Sequence, residues 1–471
     1  MTDFIPTIGL EVHAQLATRT KIFCGCSAKF GAEPNTHTCP VCLGMPGVLP
    51  VLNRQAVEFA IRAGLAVGCE IRRDSIFSRK NYFYPDLPKG YQISQYEEPI
   101  CEHGKLTLPS GKVVRILRIH LEEDAGKNIH TTGPESLVDL NRAGVPLIEI
   151  VSEPDLDNAQ EASDYLKALR AIVMYLGIND GNLEEGSLRC DANVSVRPVG
   201  QTKLGTRAEL KNMNSFRFLR QAIDHEIERQ STLLRGGGRV IQETRTYDPV
   251  TGTTRALRSK EEANDYRYFP EPDLPVLRVD DGWIARVKET LPELPMARAE
   301  RYQKAGVSIA EALQLTDERP LADYFDLCAP FVKDQAKLAK RVVNELLGAL
   351  REAALTLDTQ KATPARFAAL LELVDSGQLS SSAAKDVLAD LVQTGDEPGT
   401  IADRKGLRQV TDEGPTLVAV DAVLARSTAE VERYKAGKTQ LMGFFVGQVM
   451  KEMKGKGNPA LIGDLVKKKL A

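Results

Sequence analysis

The chain has 471 residues, 42% hydrophobic and 27% charged, with a formal net charge of −3. This is the balance of a globular protein of roughly two or three domains, and it excludes a polycation, so any nucleic-acid contact must come from a local patch. The opening Met-Thr-Asp-Phe-Ile-Pro has neither the basic region nor the apolar core of a secretory signal, and no apolar run approaches membrane-spanning length, so the expected location is cytoplasmic. Eight cysteines in so long a chain without such a signal argue against a disulfide framework.

The segment Ile8 to Leu16 alternates: Glu11, His13 and Gln15 point one way, and Leu10, Val12, Ala14 and Leu16 the other. On a strand, a Glu and a His two apart project side by side, as in a site; an exposed strand edge reads the same way. Cys24-Gly-Cys26 and Cys39-Pro-Val-Cys42 follow, twelve residues apart. Two close thiol pairs across a short loop predict a tetrahedral four-cysteine zinc knuckle, the alternative being buried, unligated thiols. Four thiolate ligands would leave no open position for catalysis, so this zinc is structural. Cys69, Cys101, Cys190 and Cys328 stand alone as packing residues.

Asn53 caps a predicted helix to Leu65, with Val57, Ala60, Ile61 and Leu65 on its apolar stripe and Gly68 ending it. Ser78 to Ser94 reads as neither helix nor simple strand. It gathers Lys80, Lys89, Tyr82, Tyr84 and Tyr91 among prolines, the composition of a loop that handles a ligand or of one pinned by aromatic packing. A strand over Lys112 to Asp124 places Arg118, His120 and Glu122 together and sends Glu123 to the opposite face, unless the strand bulges or ends there. Three consecutive acids, Glu122, Glu123 and Asp124, call for a cation, and Mg²⁺ suits such oxygens; an acidic strand end in solvent is the alternative.

Asn158 and Glu161 form a capping box for a helix bearing Leu166, Leu169, Val173 and Leu176, closed by Gly177. After the acidic lead-in Glu184-Glu185-Gly186, the stretch Ser187 to Arg197 alternates strictly. Leu188, Cys190, Ala192, Val194 and Val196 form one face, and Arg189, Asp191, Asn193, Ser195 and Arg197 the other. Thr206 to Lys211 repeats the pattern with Arg207, Glu209 and Lys211 outward. Two strands with such faces read as a working surface, or as the solvated side of an antiparallel sheet. Asn214 or Ser215 caps a further helix carrying Phe216, Leu219, Ile223 and Ile227, and the aromatic, proline-bounded stretch Asp265 to Leu274 follows.

The character changes at Leu291 to Pro295. A helical domain runs to about Asp403, with starts at Thr363-Pro364 and Ser380 to Ser382. The last segment has helices near Thr416 to Leu424, over Thr439 to Met453 (Leu441, Phe444, Phe445 and Val449 inward), and from Asn458-Pro459. From Arg433 onward there are nine Lys/Arg against two Asp/Glu, a balance of +7. Such a patch points to a nucleic-acid backbone, or is a solvated lysine-rich tail. The domains read as 1–294, 295–403 and 404–471.

No Gly-x-x-x-x-Gly-Lys-Ser/Thr loop occurs, and no Gly-x-Gly-x-x-Gly opens a helix after a strand. A nucleotide would therefore meet a sheet of carboxylates and arginines with Mg²⁺. Such a surface suits phosphoryl transfer to a carboxylate, where metal and Arg/Lys neutralise two anions that must meet. The chain has no convincing Ser-Ser-Lys amidase array and no Cys-His pair in a suitable setting, so ammonia would have to come from another protein chain.

Six motifs in order carry a resemblance: Ile-Gly-Leu-Glu-Val-His at 8–13, Lys-Asn-Tyr-Phe-Tyr-Pro-Asp at 80–86, His-Leu-Glu-Glu-Asp-Ala-Gly-Lys at 120–127, Leu-Ile-Glu-Ile-Val-Ser-Glu-Pro-Asp at 147–155, Glu-Glu-Gly-Ser-Leu-Arg-Cys-Asp-Ala-Asn at 184–193 and Asp-Tyr-Arg-Tyr-Phe-Pro-Glu-Pro-Asp at 265–273. Over its whole length the chain resembles the GatB/GatE family, the B-type components of the aspartyl/glutamyl-tRNA amidotransferases. The resemblance implies an α+β cradle with an antiparallel sheet, similar to the glutamine synthetase/guanido kinase fold, then an all-α domain and a YqeY-like tail. It implies a heterotrimer with an amidase partner, GatA, and a small partner, GatC. The implied reaction is ATP-dependent activation of the side-chain carboxylate of misacylated Glu-tRNA(Gln) or Asp-tRNA(Asn), then displacement of phosphate by ammonia. The four cysteines match a zinc knuckle that part of the family keeps.

Carried over by motif, Glu11, His13 and Glu123 would hold Mg²⁺, with Glu122 and Asp124 close by; for Glu123 this requires a bulge or strand end at Glu122-Glu123. Asp191 joins Glu11, His13 and Glu123 as the expected catalytic set. Arg189, Asp191, Glu209 and Lys211, with Glu185, would bind ATP phosphates or a second metal. Lys80 and Lys89 would line the ammonia route or meet the tRNA 3′ end, and the tail would grip the tRNA body by shape and phosphate. A second reading is a zinc-bearing, non-catalytic tRNA adaptor whose acidic cluster is structural.

Overall fold

Alternation in the strand β1, Phe4–Gln15, sets the centre of a nine-stranded sheet. The computed structural model describes residues 4–130, 135–259, 266–410, 412–453 and 455–470; Asp265 of the last motif and Lys454 of the basic segment lie outside them. The other strands of this sheet, numbered in chain order, are β2 (Glu70–Ile71), β3 (Cys101–Thr107), β4 (Val113–Glu123), β5 (Pro146–Ser152), β6 (Leu188–Pro198), β7 (Ala208–Lys211), β8 (Glu243–Asp248) and β9 (Thr253–Ser259). Their spatial order is β9-β8-β7-β6-β1-β5-β4-β3-β2. The sheet is mixed, not purely antiparallel as expected. β7 and β8 pair in parallel, because the chain crosses between them through a 20-residue helix, the connection a parallel neighbour requires.

Three helices cover one face: α1 (Arg54–Ala66), α2 (Ala159–Tyr175) and α3 (Phe216–Arg235). The predicted caps form. Asn53 accepts from the Gln55 amide at 2.9 Å, Asn158 from Glu161 at 2.9 Å, and Ser215, not Asn214, from Phe218 at 3.1 Å. Leu10, Val12, Ala14, Leu188 and Ala192 of the sheet pack with Val57, Ala60, Leu166, Leu169 and Ile223 of the helices in one buried core. Burial of each large side chain there contributes about 1.5–3 kcal/mol. Alternation therefore turns the polar residues of the same strands to the uncovered side.

Ser78 to Ser94 departs from the loop expected. Ser78–Asn81 and Tyr91–Ser94 pair as antiparallel strands, and Phe269–Pro270 adds a third. Pro85 and Pro88 sit in the turn between the two longer strands and mask their short alternation. The bidentate pair of Arg79 with Glu271, both contacts 2.7 Å, ties the two distant stretches together.

The chain divides into two compact units, Met1–Ala297 and Arg298–Ala471. The described part of the second is helical and holds two separate apolar clusters. One gathers Tyr302, Phe325, Phe367 and Leu388, and the other Val420, Phe445, Val449 and Ile462. Thr363 and Ser380 cap the helices Pro364–Asp375 and Ser381–Thr394 as predicted. Phe444, expected inward, is 38% exposed. The helix Met442–Glu452 turns Phe445 and Val449 to the core, one helical turn apart, and Phe444 lies to the side of that stripe. No described helix is long and apolar enough to cross a membrane.

Candidate active site

Strand pairing lays the polar residues out in rows across the uncovered face. Arg189, His13, Glu149 and His120 stand directly opposite one another on β6, β1, β5 and β4. The next row runs Asp191, Glu11, Val151, Arg118, and beyond it Glu209 faces Asn193. Tyr96, Tyr266, Tyr268 and Lys80 rise beside the sheet, and with the polar groups of these rows other than Arg189, which does not line it, they surround a polar hollow of about 290 Å³.

In its floor, Nε2 of His13 is 3.4 Å from Oε2 of Glu149, and Nε2 of His120 is 3.5 Å from the same oxygen and 3.6 Å from Oε2 of Glu122. Ser94 donates to Glu122 at 3.1 Å. Burial works to raise the pKa of both carboxyls, but His120, His13 and Lys80 outweigh it at Glu149, which lies well below the usual range, and His120 and Lys80 do so at Glu122. Burial lowers the His13 pKa; the hydrogen bond and charge of Glu149, with Glu122 and Asp191, reverse this and raise it. Glu11 is raised by burial and by the carboxylates around it, and Asn193 donates to it at 2.9 Å. Lys211 pairs with Asp191 and, at 2.9 Å, with Glu209, and its pKa is raised despite burial.

Glu11, His13, Asp191, Glu209, Lys211 and Lys80 thus meet in one hollow. Others do not. β4 keeps its register through Pro146 opposite Glu123 and Leu147 opposite Glu122, so the bulge expected at Glu122-Glu123 does not form. The unbroken strand sends Glu123 away from Glu122. It accepts from the Ile93 amide at 2.8 Å and pairs with Lys89, so Lys89 is held outside the hollow. Asp124 sits at the end of the row with Gln15 at 2.7 Å and Arg189 at 3.0 Å; burial opposes its ionisation, and Arg189 and Arg142 lower its pKa nevertheless. Glu185 is exposed in the turn before β6 and does not line the hollow.

Sequence reasoning assigned no role to Glu149 or Tyr96. The signal for Glu149 was a lone carboxylate inside the otherwise apolar run Pro146 to Val151. His13, Glu122 and Glu149 each offer a ligand atom within 4.8 Å of the others. Ligands sharing one ion about 2.1 Å away stand roughly 3–4 Å apart, so these three groups are spaced to take a metal ion after a small side-chain movement.

Cys24, Cys26, Cys39 and Cys42 come together in the same way, with sulfurs 3.5 Å (Cys24 to Cys42) and 3.8 Å (Cys39 to Cys42) apart. Tetrahedral ligands about 2.3 Å from zinc stand about 3.8 Å apart, so the thiols fit that ion. A hydrogen bond from Cys24 lowers the Cys42 thiol to about 4 against the effect of burial, and the buried Lys21 ammonium, 3.4 Å away, helps.

Residues 6–285 match the GatB/GatE catalytic domain, and residues 323–470 match a second GatB domain. The chain is 60% identical over 475 residues to the B subunit of the aspartyl/glutamyl-tRNA(Asn/Gln) amidotransferase of Myxococcus xanthus, covering 100% of this chain and 99% of that one. It is 57% identical to the protein of the same name in Anaeromyxobacter sp. (strain Fw109-5), again over 100% and 99%, and 54% identical to that of Nitratidesulfovibrio vulgaris, over 100% of both. The residues that line the hollow lie within the first matched region, and the chain belongs to the GatB/GatE family.

Proposed function

We propose that the polar hollow on the uncovered face is where ATP activates the side-chain carboxylate of a misacylated tRNA for amidation. The family reaction is the carbon–nitrogen ligation that forms Gln-tRNA(Gln) and Asn-tRNA(Asn). The observation that carries the siting is the row His13, Glu149 and His120 lining the hollow beside Glu122, with basic groups around it, inside the matched catalytic domain.

A carboxylate oxygen of the substrate attacks the γ-phosphorus, the bond to ADP breaks, and ammonia then displaces phosphate from the acyl phosphate. Two anions must approach, and Arg118, Arg207, Lys80 and Lys211 around the hollow offset their repulsion. Asp191 and Glu209 hold the Lys211 ammonium, and Asn193 fixes the Glu11 carboxylate. His13, Glu122 and Glu149 would hold Mg²⁺, which supplies charge neutralisation at the phosphates. The cysteine cluster would hold a structural zinc outside the reaction. The amidase partner, GatA, would supply ammonia, with the small partner GatC completing the heterotrimer, and the basic C-terminal segment would grip the tRNA. The division 1–294, 295–403 and 404–471 separates these tasks into cradle, helical domain and tail.

The test uses the purified heterotrimer. It should release ADP only with misacylated tRNA, and Glu149→Gln should abolish that release while tRNA binding persists. Unchanged release in the variant would favour the non-catalytic adaptor.

A further inference from the structure

We propose that Tyr96 and Tyr268 form a stacking platform for a nucleobase at the mouth of the hollow. The inference rests on the reading of the hollow as the activation site. At about 290 Å³ the hollow is at the small end of ligand sites. Most of its lining is charged, which suits phosphates and carboxylates, and Tyr96, Tyr266 and Tyr268 are its aromatic part. The base of a nucleotide whose charged end enters must therefore rest on the rim.

The rim is aromatic. The rings of Tyr96 and Tyr268 lie face to face, 4.1 Å between centroids and 5° from parallel. Tyr96 is 46% exposed although it lines the hollow. Tyr268 stacks on one face of the Tyr96 ring, and with nearly half of Tyr96 exposed the residue is open to contact with a further planar group. Behind the pair, Tyr266 packs edge-on to Tyr268 at 6.0 Å, Tyr82 edge-on to Tyr266 at 6.0 Å, and the Lys80 ammonium lies 5.1 Å over the Tyr266 ring.

The platform is held in place by its backbone. Arg267, between Tyr266 and Tyr268 in the chain, has φ 45°, a left-handed conformation uncommon for a side chain of this size. Asn81 stabilises it. Its side-chain amide donates to the carbonyls of Tyr266 at 3.0 Å and Arg267 at 2.9 Å, and its backbone amide donates to Tyr266 at 3.1 Å. Asn81 ends the strand that carries Lys80, so the cation and the rings are set by one short element.

Two adenines are candidates by chemistry, that of ATP and that of the tRNA 3′ end, and kinetics separate them. In the heterotrimer, Tyr96→Leu should raise the KM for one of the two substrates about 10-fold with kcat little changed, and Tyr96→Phe should stay within about two-fold of the parent. The substrate whose KM moves is the one whose base stacks. As a binding readout, Tyr96→Trp places a second indole in a chain with one tryptophan; its emission should be quenched saturably by ATP alone or by deacylated tRNA alone. Parent-like KM values for both substrates in Tyr96→Leu, with no saturable quenching, would overturn the platform. If Glu149→Gln is inactive in that same series, the activation site stands and the platform alone fails. If Glu149→Gln still releases ADP with misacylated tRNA, the reading beneath the platform fails and takes it down as well.

Discussion

His13 and Glu149 stand opposite each other across the β1–β5 pair, with imidazole Nε2 3.4 Å from the carboxylate. Neither position is close to the other in sequence; strand register alone makes them partners. If the pair holds a cation with Glu122, removing one ligand weakens that ion before it disturbs the fold, because the sheet beneath is packed by residues of the opposite face. His13→Ala and Glu122→Gln should each raise the Mg²⁺ concentration for half-maximal ADP release by about 10–100-fold. A Mg²⁺ titration of the complex with misacylated tRNA reads this directly; unchanged midpoints would remove the ion from the pair.

The cysteine cluster makes a separate prediction. Metal analysis of the purified chain should give about one zinc per protein, and Cys39→Ser should lose it. Lys21 links this cluster to the rest of the unit, donating to the carbonyls of His37 at 2.7 Å and Leu140 at 3.2 Å as well as to Cys42. Chelation should therefore lower the thermal midpoint of the chain, since metal affinity is coupled to folding.

Arg79 and Glu271 form the firmest tie between the small sheet and the Phe269 segment. Glu271 is 3% exposed and receives both guanidinium contacts at 2.7 Å. Glu271→Gln leaves the guanidinium without its main buried counter-charge and should cost about 3 kcal/mol in urea unfolding. Because the same segment carries Tyr266 and Tyr268, a rise in KM should accompany the loss of stability.

In the helical unit, Asp326 gives a pH signature. Burial raises its pKa, and hydrogen bonds from Arg301 and Arg298 outweigh that and lower it. A depressed folded value means the stabilisation is complete above the unfolded pKa of about 3.9 and disappears as pH falls through the lower folded value. Asp326→Asn should therefore destabilise by about 1 kcal/mol at neutral pH, a figure kept small by solvent screening. Unfolding midpoints of parent and variant should converge as pH falls below the ordinary carboxylate range.

The basic end is tested by charge. Lys467 and Lys468 are exposed on the last helix, Pro459–Leu470, whose buried side carries Ile462, Val466 and Leu470. Replacing both lysines by glutamate leaves that core intact. It should weaken tRNA binding by about 10-fold and flatten its salt dependence, measured by filter binding across a salt series.

Much of this was legible from local pattern. Strict alternation over Ile8 to Leu16 and Ser187 to Arg197 predicts two strands with one apolar and one polar face, and the strands Phe4–Gln15 and Leu188–Pro198 form there. Caps at Asn53, Asn158 and Ser215 announce three helices, since each signal is complete within a few residues. The thiol spacing predicts a cluster, and the four sulfurs meet. Parity along β4 predicts that Glu122 and not Glu123 joins His120, and the register keeps that parity; the carried-over motif implied the reverse.

What the sequence determined by itself is which face of each strand is polar, because side-chain direction follows from a period of two. Only the tertiary structure decided which polar faces become neighbours. Glu149 lies in a run too apolar to alternate visibly, and it gains a role because β5 pairs between β1 and β4. Tyr96, Tyr266 and Tyr268 come from stretches 170 residues apart, and the small sheet and the Asn81 clamp bring them to one rim. Long-range pairing is a property of the whole packed chain, and no window of a few residues contains it.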